Sequence, residues 1–68
     1  MQIKYKSQLT KGDKIVVKGN SIAEIMGFGT LTGEIFLVNP YNETVTIKCD
    51  QTGALECVDI GDGEMIKN

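Results

Sequence analysis

The chain has 68 residues, 41% hydrophobic and 24% charged, with seven basic and nine acidic side chains and a net charge of −2. That describes one domain with one small core, too apolar for a disordered chain and too short for a second core or a strained, water-excluding active site. Histidine and arginine are both missing, which removes the commonest general base near neutral pH, every histidine-dependent triad, and bidentate recognition of phosphate or guanine.

Gln2 to Lys6 alternates, Ile3 and Tyr5 against Lys4 and Lys6, and predicts a first strand; the alternation also argues against a secretory signal. Thr10-Lys11-Gly12-Asp13 is a turn. Lys14 to Lys18 is the next strand, with Ile15 and Val17 inward, and Gly19-Asn20 ends it. Ser21-Ile22-Ala23-Glu24 has the form of a capping box, Ile22, Ile25 and Met26 follow at helical spacing, and Gly27 can stop a helix. One or two helical turns are expected across residues 20–29, with an irregular loop as the alternative.

Thr30 to Val38 is the longest strand candidate. Gly33 inside it signals a bulge or a sharp bend, and Ile35-Phe36-Leu37-Val38 is apolar at every position, as in a strand covered on both faces. Asn39 to Glu43 is a turn carrying the only proline. Thr44 to Cys49 alternates, with Val45, Ile47 and Cys49 inward. Asp50 to Gly53 turns a hairpin, and Ala54 to Ile60 returns. That return strand changes phase, Leu55 and Cys57 on one face and Val58 and Ile60 on the other, which predicts a bulge near Cys57. After Gly61-Asp62-Gly63, Glu64 to Ile66 forms a last short strand.

Five or six short strands and at most one short helix define an all-β chain. In a sheet this small, curling lets the first and last strands pair, so a small, partly open antiparallel barrel is expected as a single domain over residues 1–68. Lys11-Gly12-Asp13-Lys14-Ile15-Val16-Val17-Lys18-Gly19, followed by Gly29-Thr30-Leu31-Thr32-Gly33-Glu34-Ile35, resembles the opening of SH3-like barrels of the KOW type. The resemblance implies a five-stranded SH3-like barrel that binds RNA, DNA or protein in the transcription and translation machinery. The chain departs from that pattern between the two strands. KOW-type nucleic-acid binders carry basic residues there, whereas Asn20 to Met26 is apolar with one acid.

No nucleophile–base pair or phosphate-binding loop is visible, so no enzyme is expected, and no cofactor. Cys49 and Cys57 are eight apart and have no histidine to complete a zinc set; they read as reduced thiols, with a disulfide requiring that they sit across a hairpin. The acids from Asp59 to Glu64 lack the spacing of a calcium loop. No apolar run approaches membrane-spanning length, and cytoplasmic residence follows.

Two readings of function remain. Ile22, Ile25, Met26 and Phe28 concentrate flexible apolar side chains around a capped turn, which marks a protein-docking site; the partner is an unidentified larger protein, and the chain fits a small phage or bacterial regulator. Alternatively, residues 1–18 carry a charge of +4 against −6 for the rest, and Lys4, Lys6, Lys14 and Lys18, with Lys11 between them, form a stripe that could track a nucleic-acid backbone. Phe28 or Tyr41 would then stack bases, Tyr5 and Phe36 being assigned to the core. A partly open barrel can also associate with itself at an edge strand.

Overall fold

Alternating apolar residues build the sheet. In the computed structural model, which describes residues 1–67, β1 (Lys14–Lys18), β2 (Thr30–Val38), β3 (Thr44–Cys49), β4 (Leu55–Asp59) and β5 (Glu64–Lys67) form one sheet, paired antiparallel throughout. The order is β4-β3-β2-β1-β5, so the first and last strands are neighbours, as a small five-stranded SH3-like barrel requires. A short helix, α1 (Ser21–Met26), joins β1 to β2, and a 3-10 turn at Lys6–Gln8 precedes β1.

One face of the sheet is dry. Ile15 and Val17, Leu31 and Ile35, Val45, Ile47 and Cys49, then Val58 and Met65 point inward from successive strands. Ile3, Leu9, Ala23 and Ile60 close the cluster from the connecting segments. Each fully buried aliphatic side chain contributes about 1.5–3 kcal/mol, so a core this small tolerates few truncations. The core holds no aromatic ring.

Several expectations are corrected. The first strand does not extend to Lys6: Gln2 makes a single bridge to Ile66, and the chain then turns. The Gln8 side-chain oxygen accepts the N–H groups of Lys4 (2.7 Å) and Tyr5 (3.0 Å), offering them a local alternative to a ladder. Tyr5 is therefore exposed rather than core. The bulge in β2 lies at Phe36, not Gly33, because Ile35 pairs with Ile47 while Leu37 already pairs with Thr46. The extra residue turns both Phe36 and Leu37 outward, at 48% and 49% exposure, so this stretch is not covered on both faces and Phe36 is not core. At Gly33 the sequence signal instead reflects a close approach, since a Cβ there would overlap the carbonyl oxygen of Lys48.

β4 has no bulge. Its register against β3 is unbroken from Thr44↔Asp59 to Lys48↔Leu55, which leaves Leu55 and Cys57 on the outer face. Cys49 is buried and Cys57 exposed, both free thiols; they occupy opposite faces, so no disulfide joins them. No helix among the described residues is long and apolar enough to cross a membrane.

A polar clamp fixes the approach to β1. The Asp13 carboxylate accepts the Thr10 N–H at 2.8 Å and pairs with the Lys67 ammonium at 3.2 Å, which also donates to the Gln8 carbonyl at 3.0 Å. The Thr10 hydrogen bond holds the Asp13 carboxyl below its usual pKa of 3.8, burial opposes it as the next largest effect, and Lys67 adds smaller lowering contributions. A depressed folded-state pKa adds stability that is complete above the unfolded value and lost as pH falls through the folded one. Asp13→Asn should therefore lower the Tm at neutral pH, and the gap from wild type should narrow as the pH falls below the ordinary aspartate value of 3.8 in thermal melts across pH.

Candidate protein-docking surface

The segment after β1 becomes a helix because both ends are satisfied. Asn20, not Ser21, is the cap: its side-chain oxygen accepts the Ile22 N–H at 2.8 Å. Among the described residues Asn20 is the one fully buried polar side chain, and its amide donates to the Asp62 carbonyl at 3.1 Å. The Asp62 carboxylate in turn accepts the Ser21 N–H at 3.2 Å. The turn between β4 and β5 thus holds the helix start in place, which a helix of six residues needs. At the other end Gly27 closes the helix in a left-handed conformation, and the N–H groups of Gly27, Phe28 and Gly29 converge on the carbonyls of Ala23 and Glu24.

This anchoring divides the four residues singled out by sequence. Ala23 is buried, and Ile22 and Met26, one turn apart, are half-buried against the core. Ile25 is 84% exposed and Phe28 is 50% exposed. The structure therefore presents Ile25 and Phe28 at the corner where α1 leads into β2, while Ile22 and Met26 pack against the core.

The other bulky apolar side chains lie elsewhere on the surface. Tyr41, in the turn between β2 and β3, is 93% exposed. Lys6 ties that turn to the 3-10 segment by donating to the Asn39 carbonyl at 3.2 Å, so Tyr5 and Tyr41 sit on adjoining segments. Phe36 and Leu37 stand near the same end of β2, with the Lys11 ammonium 5.5 Å above the Phe36 ring. Tyr5, Phe36 and Leu37 are the exposed apolar residues that pattern reasoning placed inward; for Phe36 and Leu37 the apolar run leading into the proline turn was the only signal, and for Tyr5 there was none.

The lysines do not form an isolated positive stripe. Lys6 pairs with Glu43 at 3.8 Å. Lys14 stands directly across from Glu34, which stands across from Lys48, and Lys18 faces Glu64. Lys4 is exposed. A shallow cleft of about 190 Å³ on the outer face runs over Gly33, between Lys14, Thr32, Glu34, Lys48 and Asp50. Its two lysines and two acids offset one another, and Asp50 is already engaged by the Thr32 hydroxyl at 2.7 Å. Among the described residues, no group of three or more cysteine, aspartate or glutamate side chains is placed to hold a metal ion.

Fold and surface together define a small five-stranded antiparallel barrel with a core free of aromatic rings and its aromatic side chains outside. No protein-family model, curated protein or solved structure matches the chain.

Proposed function

We propose that the protein is a non-enzymatic binding module that docks on a larger protein through the corner between α1 and β2. Ile25 and Phe28 are the anchors, and Ile22 and Met26 are the seat that packs against the core. One observation carries the reading: all four aromatic side chains and Ile25 are exposed, while the core is built without an aromatic ring. A domain this small gains most by burying its largest apolar side chains, so their exposure favours a surface that is covered in use. The resemblance to KOW-type barrels implies binding of RNA, DNA or protein, and a small cytoplasmic regulator of phage or bacterial origin is in keeping with the size of the chain.

Ile25→Asp and Phe28→Ser should each weaken capture of the partner by at least about tenfold while leaving the thermal melt unchanged, because neither side chain supports the core. Met26→Asp would place a charge against the core and is not a usable probe. Capture by Ile25→Asp equal to wild type would remove this corner as the site.

A second reading, nucleic-acid binding through Lys4, Lys6, Lys14 and Lys18 with Tyr41, draws support from the adjoining exposed Tyr5 and Tyr41. It ranks below the first because Glu43, Glu34 and Glu64 stand beside three of those four lysines. Its signature is an affinity that falls steeply with added salt.

A further inference from the structure

The sheet has two edges, and they differ. The free edge of β5 is covered by the first residues of the chain: Ile3 donates to the Met65 carbonyl at 2.7 Å, and Lys67 donates to the Met1 carbonyl at 2.8 Å. No described residue covers β4 in this way. An uncovered edge strand is a template for another strand.

The groups that β4 presents follow from its pairing with β3. Cys49 donates to the Ala54 carbonyl and Ile60 to the Glu43 carbonyl, both at 2.9 Å. Bonded and non-bonded pairs alternate along an antiparallel ladder, so Glu56 and Val58 also bond to β3. The N–H and C=O groups of Leu55, Cys57 and Asp59 therefore point away from β3, the Asp59 carbonyl accepting the Asp62 N–H of its own turn at 3.4 Å.

We infer that β4 is a self-pairing edge, and that the chain forms a two-fold dimer in which β4 lies antiparallel to β4 of a second copy, centred on Cys57. This register sets Cys57 against Cys57 and Leu55 against Asp59, so the outward-pointing groups of both strands meet, the Asp59 carbonyl accepting a second hydrogen bond beside the long one from its own turn. A shift of one residue would turn those groups away and put inner side chains on the outer face. Centring on Glu56 would oppose two glutamates, and centring on Val58 would leave Leu55 without a counterpart in β4. In the register chosen, Glu56 faces Val58 and no like charges are opposed. On the outer face the row Leu37, Thr46, Cys57 continues into Cys57, Thr46, Leu37 of the second copy, which joins two exposed apolar patches into one. A foreign strand could add to the same edge, but nothing on β4 selects its sequence, whereas a second copy matches in hydrogen bonding, face and charge together. Ile25 and Phe28 take no part, so this interface and the docking corner fail independently.

Five residues a side is a small interface, so association is weak and shows at high concentration. Sedimentation equilibrium should show the mass rising from 7.4 kDa toward twice that value as concentration increases. Cys57→Lys should weaken association by about tenfold or more without unfolding the chain, because its side chain is exposed and its backbone makes no ladder bond to β3. The register has its own readout. In a Cys57→Ser background, with Cys49 buried, Leu55→Cys and Asp59→Cys proteins should form a mixed disulfide when oxidised together and none when oxidised apart. The Cα separation of a bonded antiparallel pair, about 5.5 Å, lies within disulfide range. A mass of 7.4 kDa at every concentration up to about 1 mM, a dimer unaffected by Cys57→Lys, or cross-links as strong in the separate proteins as in the mixture would overturn the inference.

Discussion

Gly33→Ala should leave the chain largely unfolded at room temperature. The added methyl would overlap the Lys48 carbonyl oxygen and lie 3.0 Å from the Lys48 carbonyl carbon and 3.2 Å from the Cys49 Cα. All three are backbone atoms of β3, which is held between β2 and β4 by hydrogen bonds on both sides. Overpacking against movable side chains costs about 1–3 kcal/mol. Here relief requires parting β2 from β3 beside the core residues Ile35, Ile47 and Cys49, so the loss should reach or pass the top of that range. A core of this size supplies only about 3–5 kcal/mol net. Circular dichroism and urea titration would read the outcome, and a wild-type midpoint would mean that the strands do not approach so closely.

Gly63→Ala should be nearly as damaging, by a different route. Gly63 has a φ of +83°, where a side chain is strained, and its Cβ would overlap the Lys18 carbonyl oxygen and approach the Gly19 carbonyl carbon at 2.7 Å and the Asn20 nitrogen at 2.8 Å. The strained backbone alone costs about 1–2 kcal/mol. The overlap then pushes the turn before β5 away from Asn20, whose buried amide bonds the Asp62 carbonyl and whose oxygen caps α1. The expected result is a loss of about 3 kcal/mol or more, with displacement of the helix that carries Ile25. Gly61→Ala is the control, since its Cβ would enter open space; it should cost only the backbone strain. Equal melting temperatures for the two variants would show that the close approach at Gly63 carries no weight.

Much of the fold was legible because inward positions alternate wherever the ladder is regular. Val45, Ile47 and Cys49 in β3 and Ile15 and Val17 in β1 were readable for that reason, and so was the helix stop at Gly27. What alternation could not show were the local bonds that interrupt it. Gln8 ends the first strand by capturing two N–H groups, and the bulge at Phe36 turns two successive apolar side chains outward. The phase change in β4 suggested a bulge where the strand simply exposes Leu55 and Cys57 at an uncovered edge. The helix was expected to start on Ser21. Asn20 serves instead because only its side chain can also reach the Asp62 carbonyl 42 positions away, a long-range partner that local spacing does not reveal. The docking corner was half legible: the apolar cluster was visible, but its division into exposed Ile25 and Phe28 and seated Ile22 and Met26 depends on how the anchored helix is rotated.

The most direct measurement is capture from a lysate of the native host with tagged wild-type protein and with Ile25→Asp, each with and without nuclease and at low and high salt. The account predicts one stoichiometric protein that survives nuclease and salt with the wild type and is missing with Ile25→Asp. Recovery that collapses on nuclease treatment, or that falls steeply with salt and is indifferent to Ile25→Asp, would contradict it and transfer the binding role to Lys4, Lys6, Lys14, Lys18 and Tyr41.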